Sequence, residues 1–421
     1  MFKNKSFLFL IPFLFFAQLV VCQNNTNSPY TRFGYGELVD NSSAEQRGMG
    51  GVAIGVRSNQ TINTFNPASY SAVDSMTFMF DLGFSALYSR FTDPTTGKST
   101  LTANLEYISM QFPLAKWLGF SAGLLPYSFL GYNFSSSDSV PLQTNSGTPN
   151  YVKYTKSFLG SGGFSQVFAG LSGNFFKHIS LGMNAYYLFG NMYNDRYLSF
   201  TNTTDNTSTF QYNNITAGSL RFRYGVQIYN TFAKKHDFTL GFIYEPKTKL
   251  NGSFSQITSG VLTDTLPGSS DFQLPEMIGG GLHYTYNNQF SLGIDYFTQK
   301  WGESTFFGKT DSLSNRSKIS IGGEYIPNPT GRNFSDHIKY RAGFYISDAY
   351  YKLDGLQAPK NFGISVGMGL PLFNKATNTI TMLNTSLEYG KIGSVSLLRE
   401  DYLKLTVNLV FNEHWFFKRK L

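Results

Sequence analysis

Isolated charged residues on otherwise apolar or small-residue segments are the first candidates for chemistry in this sequence. They carry both signs, so they could form structural ion pairs with one another. An arginine among them could instead bind the carboxylate of a ligand through two parallel N–H groups, and Arg221, Arg223 and Arg341 are the candidates for such ligand contacts. The sequence leaves both interpretations open. The full set is Asp81, Arg221, Arg223, Glu245, Asp295, Glu324, Arg341 and Lys404.

Patterns typical of catalysis or metal binding are missing from the sequence. The histidines, at positions 178, 236, 283, 337 and 414, are too widely spaced for a zinc-ligand pattern. The segment 160–163 is glycine-rich but lacks the Lys-Ser/Thr pair of a phosphate-binding loop. Basic residues are scattered, with no run longer than 418–420, which argues against a nucleic-acid partner. We therefore predict a non-enzymatic protein with no catalytic residue, metal or cofactor.

The elements that must position the charged residues show a period of two. Residues 290–296 read Phe-Ser-Leu-Gly-Ile-Asp-Tyr, and the segments 362–370 and 403–411 alternate in the same way. Because side chains on a strand point to opposite faces in turn, one face is apolar and the other is polar or small. Charged residues are 14% of the chain, against about 25% in soluble proteins, whereas aromatic residues reach 17%. This combination is typical of a transmembrane β-barrel.

Fourteen segments of this kind are predicted, an even number as in single-chain bacterial barrels. They are 76–90, 100–112, 117–132, 159–174, 178–192, 216–232, 237–250, 273–286, 289–302, 317–326, 337–352, 360–371, 378–390 and 400–412. The predicted fold is therefore all-β: a fourteen-stranded antiparallel transmembrane barrel over residues 76–421, with an N-terminal hatch in its lumen.

Connections between the first nine segments alternate between long and short. Tight turns fall at 114–115, 176–177, 234–236 and 287–288, and the long polar stretches are 133–157, 195–215 and 251–271. Outer-membrane barrels have short periplasmic turns and longer outer loops. We therefore expect an outer membrane of the Gram-negative type, with outer-membrane lipid around the wall and both termini in the periplasm.

Residues 1–22 resemble a secretory signal peptide. Lys3 and Lys5 precede an apolar run over 7–16 that is too short to cross a bilayer. Cleavage after Cys22 would leave a mature chain without cysteine. The alternative is a lipid-modified Cys22, although Val21 is not the small residue that such a site prefers.

Residues 23–75 do not alternate like a strand. About fifty residues are too few for an independent domain without staples, yet apolar side chains such as Met49, Ile54 and Phe65 need burial. A fourteen-stranded barrel has a lumen wider than its wall side chains can fill. We predict that this segment is a hatch inside the barrel, the alternative being a disordered periplasmic tail.

Two motifs of the hatch segment resemble the FadL/TodX family of outer-membrane transporters of fatty acids and other hydrophobic molecules. The first is residues 47–51, Arg-Gly-Met-Gly-Gly, with Gly48, Gly50 and Gly51; the second is Asn66-Pro67-Ala68. The resemblance implies that these six residues serve hatch gating. It also implies a hydrophobic, fatty-acid-like ligand that leaves sideways through a gap beside a kinked third strand. Pro126 could mark that kink, or the strand could end before it.

Two functions follow from the sequence. The first is passive uptake of hydrophobic small molecules such as long-chain fatty acids, gated by the hatch and with a lateral exit. The alternative is a non-transporting barrel that docks envelope proteins in an outer-membrane secretion or assembly complex, as PorV-like relatives do. An apolar internal pocket would favour transport, whereas a polar, packed lumen would favour docking.

Overall fold

The computed structural model describes residues 26–142, 150–200, 208–259, 263–267, 271–353, 355–374, 379–395 and 398–414. The predicted signal peptide lies outside these residues. No helix in the described part of the chain is long and apolar enough to cross a membrane.

Fourteen antiparallel strands form a closed barrel, which confirms the predicted fold class. Each strand pairs with its neighbour in the chain, and β1 pairs with β14 from Thr77–His414 to Thr92–Arg399 to close the ring. β7 and β8 are interrupted. The strands are β1 (Thr77–Thr92), β2 (Gly97–Ala115), β3 (Leu118–Leu142), β4 (Asn150–Phe175), β5 (Ile179–Phe200), β6 (Thr209–Phe232), β7 (His236–Glu245 and Thr248–Ser259), β8 (Thr263–Pro267, Phe272–Leu274 and Met277–Tyr286), β9 (Phe290–Gln299), β10 (Arg316–Tyr325), β11 (Lys339–Ser347), β12 (Asn361–Asn374), β13 (Thr379–Ser394) and β14 (Leu398–His414).

The predicted alternation is visible on β9. Leu292 and Ile294 point outward and are 64% and 46% exposed, whereas Ser291 and Asp295 point into the barrel and are 9% and 3% exposed. An apolar outer surface is the face that acyl chains require, and closure of the ring pairs each strand with a neighbour on both sides, although β2 and β3 pair with each other over only part of their length.

The two ends of the barrel differ. Strands at one end, the short-turn end, are joined by tight turns such as Lys116–Trp117 and Asn287–Asn288. At the other end, the long-hairpin end, β3 pairs with β4 as far as Leu142–Asn150, and β5 pairs with β6 as far as Leu198–Thr209. The prediction of long loops over 133–157, 195–215 and 251–271 is therefore wrong for most of each stretch. These hairpin arms carry polar residues on both faces, so they lack the alternation from which strands were predicted.

The wall has one local irregularity at β3. Its ladder with β4 shifts register between Pro126 and Ser128. Its ladder with β2 covers only the short-turn half, from Ala115–Leu118 to Ile108–Leu124. The outer halves of β2 and β3 are therefore not paired with each other, and we call the space between them the seam.

Short elements complete the described fold. Helix α1 (Ala44–Gly48) starts at a capping box in which the Ser43 hydroxyl and the Gln46 side chain each bond the other's backbone N–H. A two-residue strand, Glu37–Leu38, pairs with β3. The remaining elements are the 3-10 turns Pro29–Arg32, Pro67–Ala72, Trp301–Glu303 and Phe334–His337, and the small hairpin Lys352–Leu353 and Leu356–Gln357.

Candidate functional site

Helix α1 and the glycines after it press against the inner face of β11 and β12. The Ser365 hydroxyl accepts a hydrogen bond from the Gly50 N–H at 3.0 Å and donates one to the Gly48 carbonyl at 3.2 Å. Gly50 has φ +69°, and a Cβ on it would lie 2.7 Å from the Phe344 nitrogen. A Cβ on Gly343 of the wall would lie 2.1 Å from the Gly50 nitrogen. The glycine motif is therefore a backbone-to-backbone contact between hatch and wall.

The turn at residues 53–56 is held by two polar side chains of the wall. The Asp295 carboxylate accepts hydrogen bonds from the N–H groups of Ala53 and Ile54 at 2.6 and 2.7 Å. The Gln227 side-chain amide donates to the carbonyls of Ile54 and Val56 at 3.2 and 3.1 Å. Asp295, predicted from sequence as a lumen-facing charge, thus acts as an anchor for hatch backbone.

The Asn66-Pro67-Ala68 motif starts the 3-10 turn Pro67–Ala72. The Asn66 side chain accepts from the Ala68 N–H at 3.1 Å and donates to the Ile54 carbonyl at 2.7 Å, so it joins two loops of the hatch. The Ala68 carbonyl accepts from the hydroxyls of Ser172 and Ser180 at 2.8 and 2.6 Å. The motif is thereby fixed to β4 and β5.

Buried ion pairs join the hatch to the wall at three places. At two of these places the hatch residue belongs to helix α1. Arg47 of the hatch lies 3.2 Å from Glu106 of β2, whose other oxygen lies 2.6 Å from Lys404 of β14. Glu45 of the hatch lies 3.7 Å from Arg341 of β11.

The third ion pair centres on Asp40. Its carboxylate lies 3.0 Å from the Arg316 guanidinium and 2.6 Å from the Lys318 ammonium, both on β10. Burial alone would raise the pKa of Asp40, but the two cations outweigh it and hold that pKa well below its ordinary value. Asp40 therefore stays ionised at all physiological pH values.

The three arginines predicted as ligand contacts all lie inside the barrel and all have protein partners. Arg221 and Arg223 share Glu245, the second at 3.0 Å, and Arg223 also donates to the Phe65 carbonyl at 3.3 Å. Arg341 pairs with Glu324 at 2.6 Å in addition to Glu45. Their engagement in buried ion pairs accounts for them without a ligand, and their role as ligand contacts stays a prediction.

The lumen at the long-hairpin end is filled by aromatic and aliphatic side chains of the protein itself. Trp301 is fully buried, and its ring centroid lies 5.4 Å from that of Tyr35 and 4.9 Å from that of Tyr350. We call this set the aromatic cluster. Its buried members are Tyr30, Tyr35, Tyr127, Leu130, Tyr132, Phe164, Leu188, Met192, Ile215, Ala217, Leu250, Phe272, Leu274, Trp301, Leu313, Tyr350, Tyr351 and Ala358.

Two larger cavities lie in the described part of the barrel, one on each side of the hatch, and a small one of about 30 Å³ is lined in part by Arg221 and Arg223. The first, of about 170 Å³, lies behind the seam. The second, of about 920 Å³, opens at the short-turn end, with Arg57 and Gln60 of the hatch on one side and Phe373 on another. The wall of the first cavity is mixed: apolar and aromatic side chains such as Leu38, Phe129 and Tyr350 alternate with nine charged ones, namely Glu37, Asp40, Arg47, Arg316, Lys318, Asp348, Glu388, Glu400 and Lys404.

Sequence reasoning missed several of these contacts. Asp40, Glu45 and Glu106 were not singled out, because a charge on a turn or strand does not reveal its partner. Pro126 was singled out, and it lies at the register shift of β3 beside the seam. Its role in a lateral exit stays a prediction. Among the described residues, no group of three His, Cys, Asp or Glu side chains is placed to hold a metal ion.

Solved structures with the same architecture are named as transporters and channels rather than enzymes. The Pseudomonas putida toluene transporter TodX is 15% identical, with 90% of this chain and 99% of that chain covered and a TM-score of 0.58. The Ralstonia pickettii toluene transporter TbuX is 13% identical, covering 88% and 98%, with a TM-score of 0.56. A Pseudomonas aeruginosa FadL homologue is 12% identical, covering 90% and 100%, with a TM-score of 0.56. At these identities the likeness establishes the fold.

Comparison at the level of sequence gives the family. No curated protein matches the chain. The family model described as BamG matches residues 1–421. The chain thus has the fold of the FadL-type β-barrels, and it belongs to the BamG family.

Proposed function

We propose that this barrel is a non-transporting subunit that docks partner proteins in an outer-membrane secretion or assembly complex. The observation that carries the proposal is the blocked lumen. The hatch is bonded to the wall from β2 to β14, and the aromatic cluster occupies the long-hairpin end, so the cavities of about 170 and 920 Å³ lie on opposite sides of the hatch. Ligand pockets of proteins are concave and mostly apolar, whereas the smaller cavity here carries nine charged side chains in its wall.

Energetics also argue against a hatch that moves with each passage. Displacing it would separate Arg47 from Glu106 and Asp40 from Arg316 and Lys318. Breaking one buried ion pair costs about 3–5 kcal/mol. A ligand of micromolar affinity provides about 8 kcal/mol in total, and only the part that differs between the two hatch positions can drive the movement. The binding free energy of a small apolar molecule is therefore too small to displace this hatch.

The proposed topology places the short-turn end and both termini in the periplasm and the long hairpins outside the cell. The partners would then be envelope proteins, either within the outer membrane or at its two surfaces. Fixed charges and a packed lumen give such a subunit a rigid shape, which lowers the entropic cost of holding a partner.

Purification in a mild detergent tests this proposal. We expect one or more envelope proteins in stoichiometric amounts with the barrel. In liposomes, the barrel alone should leave the flux of a fatty acid or of toluene at the level of protein-free vesicles. A barrel that purifies without a protein partner, or that raises the flux, would contradict the docking function.

Uptake of hydrophobic molecules is the second candidate. It is favoured by the seam beside Pro126 and by the fold shared with the toluene transporters. If it is correct, Asn66→Ala or Pro67→Ala should lower uptake by folded protein, because these residues and Ala68, with Gly48, Gly50 and Gly51, hold the hatch in place. Unchanged uptake in a folded variant would argue against hatch gating.

A further inference from the structure

The seam leaves one strand edge without a partner strand. β2 pairs with β1 from Gly97–Thr92 to Gln111–Met79, with one register shift at Gly83. On its other side it pairs with β3 only from residue 108 onward. In the described part of the chain, therefore, residues 97–103 of β2 have a neighbouring strand on one side only.

The opposite lip of the seam shows how this protein covers a strand edge. The two-residue strand Glu37–Leu38 pairs antiparallel with Ser128 and Phe129 of β3. Next to it, the Val39 N–H donates to the Tyr127 carbonyl at 3.0 Å. The edge of β3 is thus extended by a short piece of extended chain that adds to the sheet.

The position of the β2 edge makes a bare backbone costly. Leu101 and Leu105 point outward and are 69% and 46% exposed, as expected for side chains that face acyl chains. In hydrocarbon, each backbone N–H or C=O without a partner costs several kcal/mol. A strand edge that faces hydrocarbon therefore favours any group that supplies complementary backbone donors and acceptors.

The chemistry of the seam selects among possible occupants. Glu37 is exposed, and its carboxylate accepts a hydrogen bond from the Thr26 hydroxyl at 3.2 Å. Lys404 and Arg47 act on its charge from inside the barrel, but neither comes within ion-pair distance of it in the described part of the chain. An apolar small molecule would have to pass this carboxylate without pairing it, whereas an extended peptide can satisfy both the strand edge and the charge.

We propose that the edge of β2 at residues 97–103 is a docking site for an extended segment of a partner protein, which joins the wall as an added strand. This inference rests on the docking function proposed above. The partner segment would alternate, with apolar side chains outward beside Leu101 and polar side chains inward, at least one of them basic to pair with Glu37. Strand addition of this kind takes its affinity from backbone hydrogen bonds and its specificity from alternate side chains.

Hydrogen–deuterium exchange tests the mode of binding directly. The full chain is compared in the co-purified complex and alone in lipid nanodiscs. Alternate amides within 97–103 already bond to β1, so we expect only the seam-facing ones to exchange at least about tenfold more slowly in the complex than in the nanodisc. Amides of β9 over 290–299, which have partner strands on both sides, serve as the internal control and should be equally protected in both samples.

Three results would overturn the inference. If a partner co-purifies but the edge exchanges as fast in the complex as alone, docking uses another surface and only this inference fails. If the edge is equally protected in the nanodisc, lipid or the chain itself covers it. If no partner co-purifies at all, the proposed function fails and this inference fails with it.

A pair of proline variants provides an independent check. Successive N–H groups of a strand point to opposite sides, so one of Thr100→Pro and Leu101→Pro removes a donor from the seam and the other removes one from the β1 ladder. We expect the variant that removes the seam donor to keep the thermal stability of the barrel but to reduce partner recovery at least about tenfold. Full partner recovery in both folded variants would contradict strand addition.

Discussion

The two halves of the lumen are closed by different kinds of interaction: polar contacts in one and apolar packing in the other. Toward the short-turn half, hatch and wall meet through the Glu45–Arg341 ion pair, hydrogen bonds to Asp295 and the close approach of Gly50 to Gly343. The Asp40 ion pairs lie beyond these contacts, at the long-hairpin end of β10. At the long-hairpin half, the aromatic cluster fills volume around Trp301. Polar contacts are directional and fix one position, whereas apolar packing depends on volume and tolerates rearrangement. The polar contacts therefore fix the position of the hatch, and the aromatic cluster fills the remaining volume of the lumen.

The largest expected effect comes from a side chain placed between hatch and wall. Gly343→Val puts carbon where the Gly50 nitrogen lies, since even a Cβ would be 2.1 Å away. The hatch cannot retreat without breaking its ion pairs, so we expect it to lose its position altogether. Limited trypsin digestion should then cut after Arg47 and Arg57, which we expect to resist cleavage in the parent protein because both are partly buried and bonded.

The matched control is Gly280→Val on the outer face of β8. The nearest atom to a Cβ there is a carbon of Phe242 at 3.6 Å, an ordinary contact. This variant should keep a trypsin-resistant hatch. Equal resistance in both variants would show that the hatch does not depend on the glycine contact.

Glu245→Ala should have the next largest effect, on the stability of the whole barrel. Arg221 and Arg223 both use this carboxylate, so its removal leaves two buried guanidinium groups without their counter-ion. We expect a loss of about 4 kcal/mol in the free energy of unfolding, measured by urea titration of the detergent-solubilised protein.

A surface ion pair gives the comparison for that value. Glu276 lies 2.8 Å from Lys300, and both side chains are partly exposed. Glu276→Ala should change the free energy of unfolding by less than about 1 kcal/mol. Similar losses in the two variants would mean that the lumen is wetter than its burial suggests.

A part of this structure can be predicted from the sequence only where a physical constraint imposes a recognisable residue pattern on it. The strands of the membrane wall are predicted because lipid outside and lumen inside force alternation on residues such as 290–296. The hairpin arms beyond the membrane were missed because no such constraint acts on 133–142 or 150–157. Strand pairing there depends on backbone hydrogen bonds, which are compatible with any side chain.

The site follows the same rule. Asp295 and Arg341 could be predicted to face inward, since a charge on the lipid side is costly. Their partners could not, because Asp295 binds hatch backbone and Arg341 binds Glu45, and the approach of two distant segments leaves no trace in one sequence. The segment 289–302 predicts Trp301 at the end of a strand, whereas the strand ends at Gln299 and Trp301 starts a 3-10 turn, so its packing in the aromatic cluster could not be predicted.

Trp301→Ala tests whether the two halves act independently. Removing a fully buried indole should cost about 3 kcal/mol in the free energy of unfolding and leave a void in the aromatic cluster. Trp301 packs on Tyr35 near the start of the hatch, whereas Arg47 and Arg57 are held by Glu106 and Ser71, so the trypsin resistance of the two arginines should be unchanged. Trp117→Ala, which removes an outward-facing ring that is 53% exposed, is the control and should cost less. Loss of hatch protection in Trp301→Ala would show that the aromatic cluster also positions the hatch.

The smallest expected effect is an acid limit on hatch docking. The pKa of Asp40 is lower in the folded protein than in the unfolded chain, because Arg316 and Lys318 favour its charged form over the opposing effect of burial. A group with a lowered pKa stabilises the folded state fully above its unfolded pKa, about 3.9, and progressively less as the pH falls below it. Trypsin is inactive in acid, so pepsin should be used to follow cleavage of the hatch between pH 5 and pH 2. We expect little cleavage down to about pH 4 and a rise below it. Asp40→Asn has no carboxylate to titrate, so its hatch should be weaker at pH 5 and its response to acid correspondingly flatter. An identical acid response in both proteins would assign the effect to other carboxylates of the lumen, such as Glu106 and Glu388, rather than to Asp40.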